Sequence, residues 1–290
     1  MAAAGAIAVV VLTVGAAGLF AIVRGSRRPA GIDVPAAMWR RSAAWRWGGI
    51  ATGGLVACAA ALSGALGRGM LLAAPLFGLF VLIGVLCAEL SVRAPTVTAR
   101  QATIKIRRSR DYLPRRPAEA VLVATGALTA LLVVTTATGT ADDAGRAGRA
   151  LALQCTPAIS QAHTPWAGSY YSYPLAAILA AGLVAAALTV RAVVMRPRPG
   201  DPTVVTIADD LLRRRAGYTV TGAIGVLVSI PLIALSIVTS AALLSISCRP
   251  AWWTVAAWSL IALTPAWTAL LGWSGLAVAI PSRAAAQPAR

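Results

Sequence analysis

Residues 70–92 read MLLAAPLFGLFVLIGVLCAELSV and carry a single charged side chain, Glu89, near the end. A bilayer core about 30 Å thick needs roughly 20 consecutive apolar residues in a helix to cross it. This run has that length and is apolar around its whole circumference, which a helix on a soluble surface is not. Upstream, across Gly67-Arg68-Gly69, residues 48–66 form a second apolar run, and the two predict a tight helical hairpin. Further runs lie at about 2–23, 120–138, 174–195, 218–247 and 251–280. The expected fold is all-α, a single polytopic transmembrane bundle of about seven helices occupying residues 1–290. The first run lacks preceding basic residues, and Arg24, Arg27 and Arg28 follow it. A secretory signal has its charges in front, so a retained anchor is expected. Pro75, Pro231 and Pro265 fall inside spans, where neighbouring groups can satisfy the carbonyl that each proline frees. Gly49 and Gly53 form a GxxxG that permits close approach of another helix.

Composition agrees with the runs. Charged residues make up 12% of the chain and hydrophobic ones 58%, with a mean hydropathy of +0.76. Soluble domains carry about 25% charged residues. The net charge of +17 comes from 26 basic and 9 acidic side chains. In a soluble protein that excess would point to nucleic acid; here the loops account for it, and no nucleic-acid partner is expected. Segments 24–47, 93–119, 191–217 and 281–290 hold 22 of the 26 basic residues, and only Arg68, Arg146, Arg149 and Arg249 fall on the other side. The positive-inside rule then predicts an N-terminus outside and a C-terminus in the cytoplasm.

Lys105 is the only lysine, and alanine is abundant, as in proteins of high-GC genomes. In composition and architecture the whole chain resembles multi-pass membrane proteins of actinobacterial type. That resemblance implies a plasma-membrane location and no particular activity.

On the basic side, Asp33 and Pro35 can start a short helix. It would lie in the headgroup layer, with Trp39, Trp45 and Trp47 at the interface and Arg40, Arg41 and Arg46 on lipid phosphates. Arg107, Arg108 and Arg110 belong to the most basic loop. They are candidate contacts for anionic lipid, at about 1 kcal/mol per basic residue near the surface, or for a protein partner. Residues 201–215 predict an amphipathic helix on the cytoplasmic leaflet or packed beneath the bundle, with Asp209–Arg213 and Asp210–Arg214 as i,i+4 pairs on its polar face.

The largest opposite-side loop runs from about Gly139 to Tyr173 and contains Asp142, Asp143, Cys155 and His163. Cys58 and Cys87 lie within apolar runs and read as packing residues. Cys155 and Cys248 both fall outside, where disulfides persist, and are expected to bond to each other. Within the spans, Glu89 and Arg191 lie at similar depth and are a candidate ion pair.

Catalytic chemistry finds no carrier in the motifs. His163 is the only histidine, so a multi-histidine zinc site and HExxH are excluded. There is no P-loop and no dinucleotide glycine fingerprint. Asp142-Asp143 reads as solvated loop charge. No catalytic residue, metal or cofactor is expected. The leading expectation is a non-catalytic accessory or structural subunit of a cell-envelope complex, with the lipid bilayer and membrane proteins as partners. A small-molecule transporter is the alternative, favoured by the span prolines. A membrane enzyme ranks third, because positioned titratable groups are few.

Overall fold

The computed structural model describes residues 36–91, 112–196 and 203–280. The expected first span at 2–23 and the candidate contacts Arg107, Arg108 and Arg110 lie outside the described residues. Six long helices are described: α1 (Ala36–Leu62), α2 (Arg68–Ser91), α3 (Arg115–Ala137), α4 (Ser169–Met195), α5 (Thr203–Ser245) and α6 (Ala251–Ala279). Between α3 and α4 lies an antiparallel hairpin of β1 (Leu151–Thr156) and β2 (Ile159–His163). Five of the helices, α2 to α6, are long and apolar enough to cross a membrane. α1 is not among them, and its first half carries Arg40, Arg41 and Arg46.

Two sequence boundaries move. The headgroup helix expected at 33–47 is not separate: it continues through the next apolar run as one 27-residue helix. The amphipathic segment at 201–215 likewise runs without a break into the following span, giving a 43-residue helix. Neither junction has a proline, and the glycines there, Gly48, Gly49 and Gly217, do not adopt the positive φ of a helix cap; adding a residue to an existing helix is far easier than starting a new one. The α1–α2 turn sits a few residues earlier than expected, at Gly64 and Gly67, both with positive φ. The prolines at 75, 174, 231 and 265 all lie inside continuous helices.

α2 and α5 are central. α2 packs on α1, α4 and α5; α5 packs on α2, α3, α4 and α6. Their contact with α3 and α4 is filled by Val81, Leu82, Leu128, Leu175, Leu227 and Val228, all essentially without solvent exposure. Lipid tails are as apolar as these side chains, so close packing rather than the hydrophobic effect holds the helices together. The GxxxG shows this directly. A Cβ on Gly49 would lie 2.8 Å from the Phe80 carbonyl oxygen and 2.9 Å from the Gly84 Cα. The motif therefore seats α1 on α2 within one chain. Gly49→Leu is expected to destabilise the bundle by about 1–3 kcal/mol through forced separation of the two backbones. SDS-driven unfolding in mixed micelles measures it, and an unchanged midpoint would contradict the contact.

Candidate functional site at the Arg-rich end

The ends of α1, α2, α4 and α5 that carry most of the described basic residues converge on a buried charge cluster. The Glu89 carboxylate at the end of α2 accepts from Arg196 Nη1 at 3.0 Å. Arg196, the residue that caps α4, reaches Asp209 with its other terminal nitrogen. Asp209 accepts from Arg213 Nε at 2.7 Å, one turn along α5. Arg213 also donates to the Val193 carbonyl, and to the Arg196 carbonyl at 2.7 Å. Those carbonyls belong to the end of α4, where a helix leaves acceptors without internal partners and favours a cation. The Tyr112 ring lies 5.9 Å from the Arg213 guanidinium. Exposure is 8% for Glu89, 6% for Arg196, 5% for Asp209 and zero for Arg213.

Two acids and two bases thus form one charge-balanced chain across three helices. The expected partner of Glu89 is corrected: Arg191 is exposed, and Arg196 makes the bond. Five residues correspond to about 140° around a helix, so Arg191 and Arg196 leave α4 on different sides. The Asp209–Arg213 pair does form, but in the interior rather than on a polar outer face. Arg196 and the α4 carbonyls supply the compensation that a solvent-facing pair would take from water.

Beside this cluster, α1, α2 and α5 line a small cleft that opens to the surface. Arg46, Glu89 and Arg215 contribute to its walls. Arg46 was expected on lipid phosphates at the surface, yet it is only 6% exposed and its Nε and Nη1 have no hydrogen-bond partner among the described residues. Its guanidinium sits 5.2 Å from the Trp47 ring. Arg41 and Trp45 on the same helix are exposed, as a headgroup contact requires. Trp39 and Arg40 lie in α1, and their side chains are outside the described residues.

The opposite end is held by the segment between α3 and α4, which folds into the β1–β2 hairpin. Cys155 on β1 is bonded to Cys248 beyond α5, with Cα atoms 5.6 Å apart. Gln161 Oε1 accepts from the Ser247 backbone N–H at 2.8 Å, fixing β2 to the same turn. Leu151 and Trp166 pack against Leu243, Ile246 and Trp253, and Trp166 Nε1 donates to the Thr135 carbonyl at 2.8 Å. The alternating exposure of β1 matches its apolar–polar sequence pattern, which is the signal that could have identified the hairpin. Tyr171 donates to the Leu66 carbonyl at 2.9 Å, joining α4 to the α1–α2 turn.

Asp142 is not free loop charge. It is buried, and its carboxylate accepts from the Ala144 and Arg146 backbone N–H groups and from the Arg146 and Arg149 guanidiniums. Asp143 beside it is exposed. Loss of water raises the Asp142 carboxyl, but the Arg146 backbone N–H and the Arg149 and Arg146 side chains outweigh that and hold it at about 2. A carboxyl depressed in the folded state contributes stability above its unfolded value, near 4, and loses it as pH falls through the folded value. The loop should therefore open between about pH 4 and pH 2. Pepsin cleavage near Leu151, normalised to a peptide of the same sequence, should rise across that window. In Asp142→Asn it should be high throughout; a wild-type rate flat from pH 4 to 2 would contradict the assignment.

Among the described residues no group of three or more histidine, cysteine or acidic side chains is arranged to hold a metal ion. The fold and this site define the class of protein: a helical membrane protein with a buried charge cluster at one end and a disulfide-tied hairpin at the other. Comparison with known proteins adds nothing to that class, since no family model, curated protein or solved structure matches the chain.

Proposed function

We propose that this chain is a non-catalytic accessory or structural subunit of a membrane complex in the cell envelope. In this reading it spans the plasma membrane seven times, with the N-terminus outside and the C-terminus in the cytoplasm. The 22-to-4 distribution of basic residues supports the orientation. The observation that carries the subunit role is α6. This helix has no charged residue and five of the nine tryptophans of the chain. Only 6% of its apolar window is buried, against 67% for α5. It lies along α5 and turns Trp252, Val255, Trp258 and Leu263 outward. Large rigid side chains on the outward face of this helix offer the dispersion contacts that drive association within a bilayer.

The test compares two lipid-facing surfaces in living cells. A photoreactive residue at Trp258 or Leu263 should yield one discrete protein adduct, and the same residue at Val184 or Leu188, exposed on α4, should yield none. Equal adducts from both faces, or lipid adducts alone, would refute the subunit role.

A transporter is the second reading, favoured by one observation: the buried hydroxyls of Ser229, Ser236 and Thr239, which flank Pro231, have no hydrogen-bond partner among the described residues. A water path there would make Ser236→Cys reactive toward a membrane-impermeant maleimide. The subunit role predicts no labelling.

A further inference from the structure

We propose that the cleft between α1, α2 and α5 is a binding site for a phosphate-class anion, with Arg46 and Arg215 as its cationic walls. The argument begins with Arg46. A guanidinium is effectively always charged, and removing one from water without a partner carries a large penalty. Arg46 is 6% exposed, and two of its nitrogens have no hydrogen-bond partner among the described residues. The Trp47 ring covers one side of the group and supplies no acceptor for those N–H donors. Arg215 lines the same cleft and acts electrostatically on Arg46 with the same sign. The unpartnered Arg46 donors carry the argument, and the charge of Arg215 adds positive potential to the same wall.

The acid in the wall does not fill that role. Glu89 is bonded to Arg196, and the charges that act on it are those of Arg196, Arg213 and Asp209. The Glu89 carboxylate is thus engaged by Arg196, and no bond from it to Arg46 is among the described contacts. Ser42 on α1 adds a hydroxyl donor to the lining.

Phosphate is the class that fits. Arginine pairs with phosphate oxygens through short charge-assisted bonds. On α1, Arg46 follows the exposed Trp45 and lies over the Trp47 ring, and tryptophans prefer the depth of lipid headgroups. The phosphodiester of an anionic lipid and free inorganic phosphate share this chemistry. The site rests on the membrane placement proposed above and is independent of any protein partner.

The experiment uses the purified full chain in phosphate-free nonionic detergent. Thermal midpoints are measured against short-chain phosphatidylglycerol, short-chain phosphatidylcholine and inorganic phosphate. Phosphatidylglycerol should raise the wild-type midpoint. Arg46→Gln and Arg215→Gln should each weaken that response at least about tenfold, the effect of losing a charge-assisted bond. Arg41→Gln, on the exposed side of α1, should respond like wild type. A response to inorganic phosphate alone identifies the free anion as the source; a response that needs the lipid identifies the headgroup. Should an arginine variant not fold, a photoactivatable phosphatidylglycerol must label residues 41–50 of wild type, with unlabelled lipid competing. No response to either anion in wild type, or a response that survives in both arginine variants, overturns the site. Because only the isolated chain is used, this result and the crosslinking on α6 can fail independently.

Discussion

Arg213→Met should destabilise the folded bundle by about 3–5 kcal/mol, the scale for removing one member of a buried ion pair. Arg213 has no exposed surface and serves three acceptors: Asp209 and the Val193 and Arg196 carbonyls. Methionine fills similar volume and supplies no donor. Asp209 would keep only Arg196, which already holds Glu89, so two acids would share one guanidinium. Adding Asp209→Leu should recover a large part of the loss, because the double variant restores charge balance around the remaining Glu89–Arg196 pair. Unfolding by SDS in mixed micelles gives both numbers and their coupling. Additive effects of the two substitutions would contradict a single cooperative cluster. The Glu89→Gln and Arg196→Gln cycle should show coupling, whereas Glu89→Gln with Arg191→Gln should show none.

The second large effect concerns the disulfide. Cys155 and Cys248 are 93 residues apart. For a loop near 100 residues the chain-entropy estimate is about 4.7 kcal/mol. That figure assumes a free unfolded chain. Here α4 and α5 lie inside the loop, and helices that stay inserted already limit how far its ends can separate. The expected loss for Cys155→Ser or Cys248→Ser is therefore about 2 kcal/mol. It should appear at the hairpin end, as faster proteolysis near Leu151 and Trp166, with the Arg-rich end unchanged. Non-reducing electrophoresis checks the bond itself: wild type should shift on reduction and neither variant should. Equal mobility with and without reductant in all three would remove it. Cys58 and Cys87 are both free and should stay unbonded in every variant.

The membrane class and the positions of the apolar helices were legible along the chain because hydropathy is local. A run such as 70–92 must be helical in a bilayer, whatever it packs against, since no water is there to satisfy its backbone. The pairing of Cys155 with Cys248 was legible by elimination, as the other two cysteines lie within apolar runs. The hairpin was harder to see. Its two strands are only six and five residues long, and its position on the bundle is held by the disulfide and by the packing of Leu151 with Trp253.

The sequence by itself determined that this is a helical membrane protein with its basic residues gathered at one end. Only the tertiary structure decided what those basic residues do there. Arg41 is exposed, Arg46 is buried with two nitrogens unpartnered among the described residues, and Arg213 is enclosed among carbonyls, although all three occupy Arg-rich segments. Arg196, rather than Arg191, meets Glu89 because a helix rotates by 100° at each residue, and the end of α4 turns that side chain inward. Hydropathy and charge counts contain no rotation angle, and the partner of a charge is set by that angle.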